Sequence, residues 1–492
     1  MPVTIPLKLN ELEDIANKYD TPYYLYDKQS IKNHAKFYMK TFKKYFPNFK
    51  QYFAVKALPN PSILGILKKC GMGFDCSSPE EIEIVKFMDL NIQSDKKSSI
   101  MYTSNYTSVN DLQKVTDENN DNIIINLDSI DGFYNLLETK NPLPDTICFR
   151  YNPVEIFDNN SSDNLNKIIS PQQLLLNAMK LSKKIKEPKE KIESDIIKSN
   201  IFSGNDTKFG MTKSYLVEAY KLAKTNGIKN FGIHVMSQSN CLDINYWQNL
   251  IDDIFDVIYE LYIVLEIVID FIDIGGGIGI PYKPNESDID LESLVLLIRN
   301  RFDYNINKYN MNYEPKLMTE CGRYITGPYG WLVARCQSIK KTDNAIFYGL
   351  DASMANLMRP GMYQAYHHIT VPRLQNYLNS SKMKEANVVG TLCENNDWFA
   401  KQRILPCDIK KRDLFVIHDC GAHAYSMGFN YNSKLHCPEL LLTKNGILEI
   451  REKEDIDYHL QNTLMWINYD NKFMGLFVII LFIVFLSYFN FV

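Results

Sequence analysis

The chain has 492 residues, about twice the roughly 250 that one α/β barrel needs, so a second domain or large additions must be placed. Its 54 basic and 58 acidic residues give a net charge of −4, with 45% hydrophobic and 23% charged residues. That ordinary globular balance excludes dominant disorder and leaves no electrostatic footprint for nucleic acid.

Ten cysteines lack any CxxC pair, and the N-terminus has no basic, apolar and cleavage-site sequence. Neither a secreted disulfide framework nor a zinc site is therefore expected, and reduced thiols in the cytoplasm are the default. His367–His368 is the one close histidine pair, and adjacency points its rings apart, so no metal is expected.

In chain order, residues 1–30 hold one strand-like run, Tyr23–Tyr26, read as joining a later β domain. Eight apolar, β-branched runs follow: Gln51–Lys56, Gly73–Ser77, Ile100–Ser104, Asn122–Leu127, Thr146–Tyr151, Asn230–Met236, Ile267–Ile274 and Lys316–Glu320. Each precedes a helix-length amphipathic stretch. The alternation predicts parallel strands with crossover helices, and eight units favour closure into a (β/α)8 barrel over 31–325, the TIM-barrel architecture.

Between the fifth and sixth runs lies an insertion of about 50 residues, 155–202, with a helical run at Pro171–Lys186. After Gly322 the pattern changes to strands with few helices: Trp331–Lys340, Asn344–Leu350, Asn387–Leu392, Asp413–His418, Pro438–Leu442 and Gly446–Arg451. An all-β, Greek-key-like domain over 326–465 is expected. Finally, Phe473–Val492 carries no charge. At 1.5 Å per residue it is long enough for a bilayer core of roughly 30 Å, and two readings stand open: a C-terminal membrane anchor, or translated A/T-rich noncoding sequence.

Barrel closure sets the eighth strand beside the first, and active sites form at the C-terminal ends of barrel strands. Lys56 ends the first run and Glu320 the eighth; Gly275-Gly276-Gly277-Ile278-Gly279 follows the seventh, and Gly322-Arg323 follows the eighth. Glycines let backbone N–H groups approach phosphate oxygens, and the arginine adds charge-assisted bonds. Singly, Lys56 also reads as a barrel lysine paired with an acid, and the glycines as a tight turn. Together, lysine, acid and cradle suit pyridoxal phosphate, with its aldehyde, basic ring nitrogen and phosphate.

The stretches YFAVKALPNPSIL, GFDCSSPEE, FRYNP, KFGMT, DIGGGIGIPY, TECGRYITGP, LMRPGMYQAYH, CENND and SMGFNYNSK occur in order from Thr21 to about Asn462. In them the chain resembles the diaminopimelate decarboxylases, in the barrel-plus-β-domain class of pyridoxal-phosphate enzymes that also includes ornithine decarboxylase. The resemblance implies that Lys56 bonds the cofactor's aldehyde and that Glu320, in ECGR where the family usually has EPGR, keeps the pyridine nitrogen protonated. It implies that Gly276, Gly277, Gly322 and Arg323 bind the phosphate end, and that Asp75 and Arg150 belong to the cofactor site. Cys393 is implied to reach across a homodimer interface and reprotonate the carbanion, with Glu394 binding a substrate amine and Arg359, Tyr363 and Arg323 a carboxylate.

The sequence departs from the family pattern at two further places. His423 stands where many relatives have a tyrosine on the cofactor. In GIHVMSQSN the gapless register makes Met236 the residue packed on the cofactor and Ser239 the phosphate-binding serine, with His234 an option if the strand shifts. A lysine that attacks a carbonyl also needs a lowered pKa, which a closed barrel mouth can provide.

The function implied is decarboxylation of meso-2,6-diaminopimelate to L-lysine and carbon dioxide. The distal end of that substrate carries an amine and a carboxylate, matched by Glu394 and Arg359; an ornithine- or arginine-type enzyme would have no use for Arg359. The alternatives are such a basic-amino-acid decarboxylase, or a non-catalytic regulatory relative.

Overall fold

The eight runs close into one parallel barrel. In this computed structural model, residues 2–91, 99–117, 123–153, 207–377 and 382–464 are described; the insertion at 155–202, its helical run and the run at 473–492 lie outside them. Strand β1 (Tyr23–Asp27) belongs to a second sheet. The barrel is β2 (Lys50–Ala54), β3 (Gly73–Cys76), β4 (Ile100–Ser104), β5 (Ile123–Leu127), β6 (Thr146–Arg150), β7 (Asn230–His234), β8 (Ile269–Asp273) and β9 (Lys316–Thr319), each paired with the next. It closes where Lys50 and Gln51 of β2 meet Met318 and Thr319 of β9. Gln51 stitches this seam, donating to the Cys321 carbonyl (2.7 Å) and accepting from the Thr319 hydroxyl.

Tyr52, Met101, Cys148, Phe271 and Met318 fill the barrel interior, so it is a packed core and not a pore. Outside, amphipathic helices bury one stripe each. Along Ile244–Leu265 the buried positions Trp247, Leu250, Ile251, Ile254, Phe255, Ile258 and Leu261 recur at the three- and four-residue spacing of one helix face.

The second sheet runs β14-β13-β11-β10-β1-β16-β17, with β15 on β10 and β12 on β15. Its strands are β10 (Gly330–Lys341), β11 (Ile346–Leu350), β12 (Ile369–Thr370), β13 (Met383–Val389), β14 (Trp398–Pro406), β15 (Leu414–Ile417), β16 (Glu439–Thr443) and β17 (Gly446–Arg451). Strand β1 lies between β10 and β16. Its residues alternate: Tyr23 and Leu25 join a cluster with Trp331 and the N-terminal helix Leu9–Tyr19, whereas Tyr24 and Tyr26 face the main core.

Two details differ from the sequence expectation. The run expected at 387–392 begins earlier, at Met383, and pairs with the unforeseen β14, whose exposed lysine, glutamine and isoleucine hide the alternation. Residues Lys453 onward form a separate unit, and its described part holds one short helix, Ile456–Leu460. Among the described residues no helix is long and apolar enough to cross a membrane.

Candidate active site

Strand β2 stops at Ala54, and Lys56 sits two residues further on, in a 3-10 turn over Val55–Ala57. This turn is clasped by the second sheet and its loops. The Ala57 carbonyl accepts from the His423 N–H (2.8 Å) and the Ser426 hydroxyl (3.5 Å), and the Pro59 carbonyl accepts from Arg451 (3.2 Å). Behind it, fully buried Glu439 of β16 accepts from the Tyr26 hydroxyl (2.7 Å), the Asn60 amide (2.9 Å) and Arg451 Nε (2.5 Å).

Lys56 Nζ lies 3.6 Å from Asp75 Oδ2 and 3.3 Å from the Ser77 hydroxyl, with 52% of its side chain open. Burial and the neighbouring Glu320 charge push the Asp75 carboxyl up to about 8. The expectation of a lowered lysine pKa is corrected here: burial pulls the Lys56 ammonium down, but Asp75, Glu320 and Glu81 together outweigh it and hold it above its ordinary value.

Glu320 follows β9 directly and is buried. Its carboxylate accepts from the Thr103 hydroxyl (3.1 Å) and lies 3.0 Å from His234 Nε2. Burial works against its charge, yet His234, Lys56 and Thr103 hold the carboxyl below the usual range. Asp273, at the end of β8, is pushed well above that range by burial and by Glu320. Ligand-type atoms of His234, Asp273 and Glu320 lie within 4.8 Å of one another, while Asp273 Oδ2 and His234 Nδ1 are buried without a hydrogen-bond partner. Of the three only Glu320 lines the cavity, and its carboxylate suits something positive there, such as a protonated ring nitrogen.

The other end suits an anion. Gly277 has φ +94°, and a Cβ there would lie 2.3 Å from the Gln238 carbonyl oxygen; only glycine fits. The N–H groups of Gly276, buried, and Gly277, half-buried, have no acceptor among the described residues, which leaves them free to donate to a ligand in the cavity. Arg323 reaches Ser239 Oγ at 3.4 Å. Burial first, and Arg359 second, pull its guanidinium below its ordinary value.

These groups line one cavity, which brings together Lys56, Asp75, Met236, Ser239, Gly276, Gly277, Glu320, Gly322, Arg323 and His423. Met236 stands in its wall, while His234 lies behind against Glu320. Arg150 is outside the lining, donating to the Met236 carbonyl (2.9 Å) and facing Asp128 (3.5 Å). Burial, then Arg323, Arg359 and Lys56, push the His423 imidazole well below its ordinary value, so it is neutral at pH 7.

Arg359 opens the short helix Arg359–Tyr363 and donates to the Tyr282 hydroxyl at 2.6 Å. Tyr363, Cys393 and Glu394 do not line the cavity; all three are exposed. They share one surface, because the carbonyl of Asn396 packs against Gly361, where a Cβ would come within 2.2 Å. Asp397 fixes that loop by accepting from the N–H groups of Leu392 (2.7 Å) and Met354 (2.6 Å).

A covalent lysine, an acid for a ring nitrogen and a glycine cradle for phosphate are the parts pyridoxal phosphate requires, and the unpaired N–H groups and carboxylate fit its two ends. Residues 31–327 match the family model of the pyridoxal-dependent decarboxylase, pyridoxal binding domain. The chain belongs to this family. Protein TabA of Pseudomonas amygdali pv. tabaci is 34% identical, over 91% of this chain and 92% of its own. The diaminopimelate decarboxylase of Methanothermobacter thermautotrophicus is 29% identical over 90% and 91%. The crystal structure of diaminopimelate decarboxylase from Methanocaldococcus jannaschii in complex with L-lysine superposes with a TM-score of 0.72 at 26% identity, covering 92% of this chain and 94% of that one.

This decarboxylase is thus a pyridoxal-phosphate-dependent carboxy-lyase of the diaminopimelate-decarboxylase type, acting on an amino acid. Sequence reasoning gave no role to Thr103, Asp273, Tyr282 or His367. Thr103 and Asp273 sit at strand ends on the active rim, a positional signal that was available. Tyr282, just past the glycine loop, was indistinguishable from a packing aromatic, and His367 becomes meaningful only once β15 brings His418 beside it.

Proposed function

We propose that this decarboxylase converts meso-2,6-diaminopimelate to L-lysine and carbon dioxide. The observation that carries the reading is the half-buried pair Arg323, which lines the cavity, and Arg359, joined to it through the Tyr282 hydroxyl, neither with a carboxylate partner among the described residues. Asp419 lies near Arg359, but burial pushes its carboxyl up to about 8, so it does not neutralise the pair at pH 7. Arg323 turns Nη2 toward Ser239, on the side read as the phosphate end, and Nη1 toward Tyr282 and Arg359; the second edge and Arg359 suit a carboxylate, and a substrate with an amine alone at its distal end would leave Arg359 unmatched.

Pyridoxal phosphate, when bound, supplies an aldehyde for covalent attachment to an amine and a ring that takes up the electron pair released with carbon dioxide. Lys56 presents its amine at the mouth of β2 and Asp75 takes or returns its proton. Glu320, kept ionised by His234 and Thr103, holds the proton on the ring nitrogen. Gly276, Gly277, Gly322, Arg323 and Ser239 bind the phosphate end, with His423 and Met236 at the cofactor and Arg150 and His234 supporting the wall from behind. Cys393 delivers the proton to carbon, and Glu394, Tyr363 and Arg359 recognise the distal amine and carboxylate.

Exposure of Cys393, Glu394 and Tyr363 on one surface supports a homodimer in which each chain completes its partner's site. Mixing inactive Lys56→Ala and Cys393→Ala chains should then restore about a quarter of wild-type activity, since half the dimers carry one intact site; no restoration would refute sharing. Carbon dioxide release from a panel of amino acids tests the substrate. Release from ornithine or arginine but not from meso-diaminopimelate would overturn the assignment.

A further inference from the structure

Arg323 Nη1 and Arg359 Nη1 each donate to the same atom, the Tyr282 hydroxyl oxygen, both at 2.6 Å. The two like-charged nitrogens are therefore held within twice that distance of each other. Their guanidinium carbons also lie 5.7 and 4.9 Å from the centre of the Tyr282 ring, so the ring face offsets part of their repulsion. Tyr282 is 6% exposed, and its own loop is pinned where the N–H groups of Tyr282 and Lys283 donate to Glu286 at 2.9 and 3.0 Å.

A third residue faces the same Arg359 nitrogen. His367 is fully buried, and its Nδ1 lies 2.8 Å from the His418 carbonyl, which can only accept. Nδ1 therefore carries the proton, and Nε2 is left as the acceptor facing Arg359 Nη1 at 3.5 Å. Burial, then Arg359, keep this imidazole well below its ordinary range, consistent with an uncharged acceptor.

We infer that Tyr282 is a positioning residue that sets the gap between Arg323 and Arg359, making them a preformed receptor for one carboxylate and thereby selecting substrates that are acidic at the distal end. The inference rests on the proposed diaminopimelate reading and names what tunes it. A phenol oxygen has two acceptor sites, and both are taken by guanidinium N–H groups. Without that oxygen nothing neutral remains between the two charges, so repulsion moves them apart and a single carboxylate no longer engages both.

The test is Tyr282→Phe, which keeps the ring and removes the oxygen, in the holoenzyme with folding checked by the melting curve. KM for meso-diaminopimelate and the inhibition constant of pimelate, a dicarboxylate without amines, should each rise about tenfold or more, with kcat falling less than threefold. The inhibition constant of pentane-1,5-diamine, which has no carboxylate, should stay within twofold. Arg359→Gln sets the upper limit of the loss. If both inhibitors weaken alike, or neither does, Tyr282 is structural and the inference is overturned. If the wild type does not turn over meso-diaminopimelate, the substrate assignment fails; calorimetric binding of pimelate to wild type and Tyr282→Phe then decides the role of Tyr282 separately.

Discussion

Replacing Glu439 with alanine should couple loss of stability to loss of the cofactor site, because this carboxylate ties the second sheet to the segment just after Lys56. Its removal leaves the Tyr26 hydroxyl without an acceptor and the Asn60 amide with only the Ile450 carbonyl at 3.3 Å, both residues being 0% exposed. Each buried orphan costs about 1–3 kcal/mol. Arg451, whose side chain is 35% exposed, turns to water and adds little. The expected loss is about 2–4 kcal/mol for Glu439→Ala, one full orphan plus one of the two bonds of Asn60. Glu439→Gln keeps the shape and one acceptor oxygen but opposes its amide to the Arg451 donor, for about 1–2 kcal/mol.

Urea unfolding followed by circular dichroism measures both, and the visible absorbance of bound pyridoxal phosphate measures the effect on the site. In the Glu439→Ala background, Tyr26→Phe should cost nothing or restore stability, since it removes one orphan. Equal losses for the alanine and glutamine variants, or a loss below about 1 kcal/mol for alanine, would refute the reasoning.

Gly277→Ala forces a side chain onto a φ of +94° and against the Gln238 carbonyl, so affinity for pyridoxal phosphate should drop at least about tenfold in an absorbance titration while the barrel stays folded. The Asp419 carboxyl, raised to about 8 by burial, stabilises the fold fully below its unfolded pKa near 4, and this is lost as pH rises toward 8. Asp419→Asn should therefore gain stability relative to wild type from pH 5 to pH 8.5, by up to about 1.4 kcal/mol per unit, and asparagine tolerates the φ of +58° found there. A pH-independent difference in urea midpoints would sink this. His423→Tyr should retain cofactor binding within about threefold, since a neutral donor replaces a neutral imidazole; a fully lost absorbance band would contradict that role.

Lys56, Glu320, Arg323 and the glycine loop were legible because a barrel's closure is periodic and its rim is fixed by strand ends. Lys56 itself shows the limit: its place after β2 could be read, but its pKa could not, because Asp75, Glu320 and Glu81 come from other elements. Met236 lining the wall while His234 backs Glu320 is a matter of which way successive side chains leave β7, which register alone does not decide near a strand's end. The Arg323–Tyr282–Arg359 bridge was invisible for a different reason, since it joins a loop after β8, a turn after β9 and a helix of the second sheet's domain.

The clasp on the Lys56 turn also dictates an order of events during synthesis. Strand β1 is made among the first 30 residues, yet one of its two neighbours is β16, made more than 400 residues later. Until then its edge is open to water or to a wrong partner, and the Ala57 and Pro59 carbonyls lack their donors from His423, Ser426 and Arg451. A nascent chain that stops at the end of the barrel thus holds every strand of the cofactor domain but not the restraints on the Lys56 turn. The clasp is complete only after the last strand has been made, so messages cut short upstream of β16 should yield chains that are exposed at β1 and chemically idle.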